Sequence, residues 1–141
     1  MKAIVSEELS ERLVDLQNAV AREEVPLLII FEGTSSRVVS HVINEVARAL
    51  EPRFVTYHGL DMLAPGEVNM MHLLTNTPAK GETVLMDRSW YTLAVLNNDG
   101  SKIQLKETVE RINGFEEYLT DNGTRIIKIL LSASPVAMSE H

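Results

Sequence analysis

A chain of 141 residues with 13 basic and 20 acidic side chains, net charge −7, suits a single domain able to bury a core without cross-links. It contains no cysteine, which excludes disulfides, zinc–thiolate sites and cysteine nucleophiles and is compatible with a reducing, cytoplasmic setting. The acidic balance argues against a broad nucleic-acid surface, and the longest apolar run, Val25 to Phe31, is too short to cross a bilayer, so neither nucleic acid nor membrane is an expected partner.

The N-terminus, with Glu7, Glu8 and Glu11, has no signal-peptide pattern. Residues 6 to 23 read as a helix capped by Ser6, with Leu9, Leu13, Leu16 and Val20 as its apolar stripe. Pro26 opens a first strand, Leu27 to Phe31, whose unbroken apolar character predicts burial on both faces, as in a parallel sheet. The spacing of Val39, Val42, Ile43, Val46 and Leu50 predicts a second helix from about Arg37 to Leu50, ended by Pro52. Phe54 to Tyr57 reads as a short strand, residues 58 to 66 as loop and Glu67 to Leu74 as helix. Pro78 and Gly81 bracket a turn before a third strand, Thr83 to Met86, which ends at Asp87. Ser89 to Leu96 is read as helix and Asn97 to Gly100 as a turn. Ile103 to Leu119 is a second clear amphipathic helix, with Leu105, Val109, Ile112, Phe115 and Leu119 on one side and Asn122-Gly123 at its end. Thr124 to Leu131 is the last strand, and Ser132 to His141 hold at most one helical turn or a tail.

Strand, glycine turn and amphipathic helix between Pro26 and His41 make the opening unit of a nucleotide-binding α/β fold. A Walker-type loop requires glycines for close backbone approach and a lysine for the phosphates, yet Gly33 to Asn44 holds one glycine and no lysine. The architecture of a phosphotransferase is therefore written more clearly than its phosphate grip. The four histidines (41, 58, 72 and 141) show no ligand spacing with carboxylates, and Ser89 lies outside any Gly-x-Ser-x-Gly frame. Met70 and Met71 read as packing residues.

Three separated stretches carry a resemblance: Phe31-Glu-Gly33; Pro78-Ala-Lys-Gly-Glu82 leading into Met86-Asp-Arg-Ser-Trp-Tyr91; and Ile112-Asn-x-Phe-Glu116 followed by Leu119, Gly123-Thr124 and Ile127-Lys128. Together they resemble the polyphosphate kinase 2 family, P-loop enzymes that move phosphate between polyphosphate and nucleotides. The resemblance spans roughly residues 10 to 134 and implies a three-layer α/β P-loop-like domain. Its mostly parallel sheet of about four strands would be ordered second, third, first, fourth. Against the family's loop, Ser35 stands for an aspartate, Val38 for a glycine, Val39 for the lysine, and Ser40 and His41 for two further glycines. A valine offers phosphate no charge, and an added Cβ blocks its approach to the backbone. The segment Met70 to Asn76 lacks the family's basic residues, Thr92 to Asn98 lacks its arginines, and the chain stops where lid and closing helices would follow.

Each candidate residue has two readings. Asp87 is either a Walker-B-like Mg²⁺ partner with Arg88 on phosphate or half of an Asp–Arg pair that holds strand to helix. Arg37 is a substitute for the missing lysine or a solvated residue at a helix start. Gly33, Ser35 and Ser36 bind an anion, or the serines cap the helix. Glu32 and Glu116 occupy family-like positions and read as structural hydrogen-bonding residues, and Lys128 as a partnered strand charge. The preferred expectation is a non-catalytic domain acting through protein association, as a homodimer or with a larger partner, with no cofactor. The alternative is Mg²⁺-dependent phosphoryl transfer between polyphosphate and a nucleotide, carried by Asp87 and Arg88. The third possibility is a nucleotide or anion sensor without turnover.

Overall fold

In the computed structural model, which describes residues 4–60, 70–96 and 100–132, strand β1 (Leu27–Gly33) lies at the centre of the sheet. Helix α1 (Glu7–Arg22) precedes it and α2 (Ser36–Ala49) follows; a one-turn 3₁₀ segment, Pro52–Phe54, leads into β2 (Val55–Gly59). Then come α3 (Met70–Thr75), β3 (Thr83–Asp87), α4 (Trp90–Leu96), α5 (Lys102–Asp121) and β4 (Arg125–Leu131). The four strands are parallel and ordered β2-β3-β1-β4, as the resemblance implied.

Strand alternation divides the core into two layers. Leu27, Ile29 and Phe31 pack with Val39, Val42, Ile43, Val46 and Val20, contributed by α2 and α1. Leu28, Ile30, Val84 and Met86 pack on the other face with Trp90, Leu93, Ile112 and Leu119 of α4 and α5. Every residue of β3 is buried, and so are the first five of β1, which is why both read as unbroken apolar runs. The whole predicted stripe of α2 is buried.

Other elements depart from the sequence reading. Leu9 and Leu16 of α1 are exposed, at 42% and 38%, while Gln17 is buried. Its side-chain amide donates through Nε2 to the Glu51 carbonyl (2.9 Å), and its Oε1 accepts from the Glu51 N–H (2.6 Å). A group that both donates and accepts satisfies the backbone between α2 and Pro52, so a polar residue outcompetes leucine there. On α5, Val109 is exposed and Glu116 is buried in its place. Phe54 closes the 3₁₀ turn and lies outside the strand, whereas β1 runs two residues further than expected, to Gly33. The readings for residues 61–69, 97–99 and 133–141, and for the Met70, Met71 and His72 side chains, fall outside the described residues. Among the described residues no helix is long and apolar enough to cross a membrane.

Candidate functional site

The C-terminal ends of β1 and β3 lie side by side, with Phe31 in register with Asp87. Ligands of open α/β sheets bind at such strand ends. Between β1 and α2 stand only Thr34 and Ser35. Ser35 is the N-cap, its hydroxyl accepting from the Val38 N–H at 3.3 Å. Helix α2 is therefore under way at Ser36, and Val39, where the family's lysine would stand, is fully buried in the core. A Cβ on Gly33 would lie 2.6 Å from the Leu131 carbonyl and 2.8 Å from a Val39 methyl. Close packing of β4 and α2 against the strand end thus requires glycine at this position.

Arg88 governs the turn after β3. It adopts a left-handed backbone, φ 70°, uncommon for a side chain of this size, and its N–H donates to the Phe31 carbonyl at 3.0 Å. Its guanidinium donates to the Gly33 carbonyl and, at 3.1 Å, to the Ser36 hydroxyl. The expected Asp87–Arg88 pair is not formed among the described residues. Asp87 instead accepts from the Tyr57 hydroxyl at 2.7 Å, while Arg88 ties the β3 end to the β1–α2 turn. Arg37 sits exposed in the first turn of α2. The structure thus brings together Gly33, Ser36, Asp87 and Arg88, gives Ser35 to capping, and leaves Arg37 on the surface.

The rest of the Asp-Arg-Ser-Trp-Tyr motif is used inward. Ser89 is buried and donates to Glu32 Oε1, and Thr92 donates to Glu32 Oε2, both at 2.6 Å. Trp90 is buried, donates through Nε1 to Glu116 Oε1 at 3.2 Å, and meets Phe115 edge-on at 5.5 Å between ring centres. The Tyr91 hydroxyl also donates to Glu116. Lys128 closes the cluster, with Nζ 2.5 Å from Glu116 Oε2 and 2.7 Å from the Tyr91 oxygen. Burial alone would lower the Lys128 pKa; hydrogen bonds to Glu116 and Tyr91 outweigh it and hold the ammonium above its ordinary range. Burial and the Glu116 carboxylate push the Tyr91 phenol upward. The three stretches that carry the resemblance are therefore one hydrogen-bonded unit in space, and Glu32, Glu116 and Lys128 are its polar joints. Sequence spacing could not have shown which residue meets which.

Beside this unit lies a cleft of about 630 Å³, bordered by Glu32, Arg88, Thr92, Val95, Lys128 and Leu130. Its lining is largely apolar, in the size range of small-molecule pockets. Among the described residues no group of three or more His, Cys, Asp or Glu is placed to hold a metal ion.

A parallel sheet with β1 between β3 and β4, a glycine turn into α2 and an aspartate ending β3 defines a P-loop kinase-like α/β fold. The profile of "Polyphosphate kinase 2 (PPK2)" matches residues 3–140, and the chain belongs to the polyphosphate kinase 2 family. It is 30% identical over 135 residues to an ADP-polyphosphate phosphotransferase of Pseudomonas aeruginosa, covering 89% of this chain and 43% of that protein. It is also 30% identical over 134 residues to a GDP-polyphosphate phosphotransferase of Mycobacterium tuberculosis, covering 89% and 45%. The crystal structure of polyphosphate kinase 2 from Arthrobacter aurescens superposes with a TM-score of 0.75 at 24% identity, over 89% of this chain and 48% of that one. The chain spans less than half the length of these relatives.

Proposed function

We propose that this chain acts in phosphoryl transfer between polyphosphate and a nucleotide, the chemistry for which its curated relatives are named. The observation that supports it most is the family match across almost the whole chain. The relatives favour this reading over the non-catalytic one preferred from the sequence. Asp87 is the residue for magnesium: Mg²⁺ often takes only one or two carboxylates, the substrate's phosphates and water completing its shell, and a lone carboxylate at a strand end fits that share. The ion would supply positive charge to phosphate oxygens. Arg88 fixes the turn that faces them, and Arg37 adds a cation at the start of α2.

The β1–α2 turn favours a second reading, in which the chain binds a protein partner, itself included, and turns nothing over. Two residues leave little room for a phosphate-wrapping loop, and a buried Val39 cannot present charge. Calorimetric titration with ATP, ADP, polyphosphate and Mg²⁺, beside an assay of phosphate transfer, separates the two. The first reading expects Mg²⁺-dependent binding and turnover that Asp87→Ala abolishes. No heat and no transfer would leave the second, and binding without transfer would make the domain a sensor.

A further inference from the structure

Asp87 is 7% exposed, yet no basic side chain pairs with it among the described residues. A carboxylate withdrawn from water needs a counter-charge or a full set of hydrogen bonds. Its sequence neighbour does not supply the charge, because the Arg88 guanidinium is engaged by the Gly33 carbonyl and the Ser36 hydroxyl. Oδ2 of Asp87 accepts from the Tyr57 hydroxyl at 2.7 Å, and no hydrogen bond reaches Oδ1 among the described residues.

Tyr57 reaches this carboxylate from the neighbouring strand. In the β2–β3 register Tyr57 lies beside Leu85 and Gly59 beside Asp87, so the tyrosine side chain must run along β2 to meet Oδ2. Gly59 leaves that lane open: a Cβ there would stand 2.7 Å from the hydroxyl oxygen and 3.1 Å from the ring carbon that bears it. Burial does not explain an aromatic residue at this position, which is 44% exposed. A phenol is also a neutral donor. It fixes one oxygen of the carboxylate and leaves the negative charge, and the lone pairs of the other oxygen, for a cation. Carboxylates that bind metals are commonly held in this way by a neighbouring hydrogen bond. Resting on the phosphoryl-transfer reading above, we propose that Tyr57 is a positioning residue for magnesium: its hydroxyl, passed over Gly59, orients the Asp87 carboxylate so that Oδ1 takes the cation. The tyrosine acts only through Asp87.

Calorimetry of ATP binding with and without Mg²⁺ tests this. In the unaltered chain Mg²⁺ should tighten ATP, and Asp87→Asn should remove that gain. Tyr57→Phe should weaken binding of ATP with Mg²⁺ about ten- to hundredfold and leave binding of ATP alone unchanged. Gly59→Ala, which displaces the hydroxyl without removing it, should do the same. In the Asp87→Asn background Tyr57→Phe should add nothing. A merely structural tyrosine would weaken binding equally with and without the ion. Cooperative urea unfolding checks that each variant folds. A gain that Asp87→Asn removes but Tyr57→Phe and Gly59→Ala leave intact would overturn the role of Tyr57 while the phosphoryl-transfer reading stands. Tighter Mg²⁺-dependent binding in Tyr57→Phe would overturn it too, by showing that the hydroxyl shields the carboxylate, and so would a gain indifferent to Asp87→Asn. ATP that the unaltered chain binds no better with Mg²⁺, or not at all, would overturn both.

Discussion

The hydroxyl of Tyr57 donates to Oδ2 of Asp87 over 2.7 Å and so holds the one carboxylate at the end of β3. The Tyr57 side chain lies back across Gly59, where an added Cβ would stand 2.7 Å from the hydroxyl oxygen. Two residues apart on one strand, they share a face.

Tyr57→Phe should cost about 0.5–1.5 kcal/mol in urea unfolding, toward the lower end because the residue is 44% exposed. Gly59→Ala should displace the same hydroxyl, and the double variant should lose little more than either single one. Full additivity would show that Gly59 is not there to make room for Tyr57.

Restoring the family's lysine should fail. Val39 is fully buried among Phe31, Val42 and Ile43, so Val39→Lys puts an ammonium group into an apolar layer. A loss of about 2–4 kcal/mol is expected by denaturant unfolding, with no gain in ATP affinity by calorimetry. A stable variant that binds ATP more tightly would mean that the loop can reopen.

The Glu116 cluster predicts an alkaline limb of stability. Lys128 and Tyr91 both titrate above their ordinary values in the fold, so the folded chain binds protons more firmly than the unfolded one. Their contribution is complete below the unfolded pKa values and is lost as pH rises through the folded ones, from about pH 10 upward. Glu116→Gln should flatten that loss in unfolding midpoints measured from neutral to strongly alkaline pH. At neutral pH it should cost about 1–3 kcal/mol by weakening the acceptor that Trp90, Tyr91 and Lys128 share.

Gln17→Ala removes both hydrogen bonds to the Glu51 backbone and should cost about 1–3 kcal/mol. Leu16→Ala, one residue earlier but exposed, should cost under about 0.5 kcal/mol. Comparable losses from the two would mean that α1 packs on the leucine stripe after all.

By itself the sequence determined the alternation of strands and helices, the buried centre of the sheet, the amphipathic α2 and, through three spaced motifs, the family and strand order. Those features rest on side-chain period and turn chemistry, which are local properties of the chain. Tertiary structure alone decided where the polar atoms go. Gln17 replaces leucine on the buried face of α1 because backbone groups of Glu51 needed a partner, and Glu116 displaces Val109 because Trp90, Tyr91 and Lys128 converge on it. It also decided that Arg88 grips Gly33 and Ser36 while Asp87 turns to Tyr57, so two adjacent residues serve different neighbours. Buried polar groups must be satisfied by whatever the fold brings near, and those partners lie up to 60 residues away in sequence, beyond the reach of any local pattern.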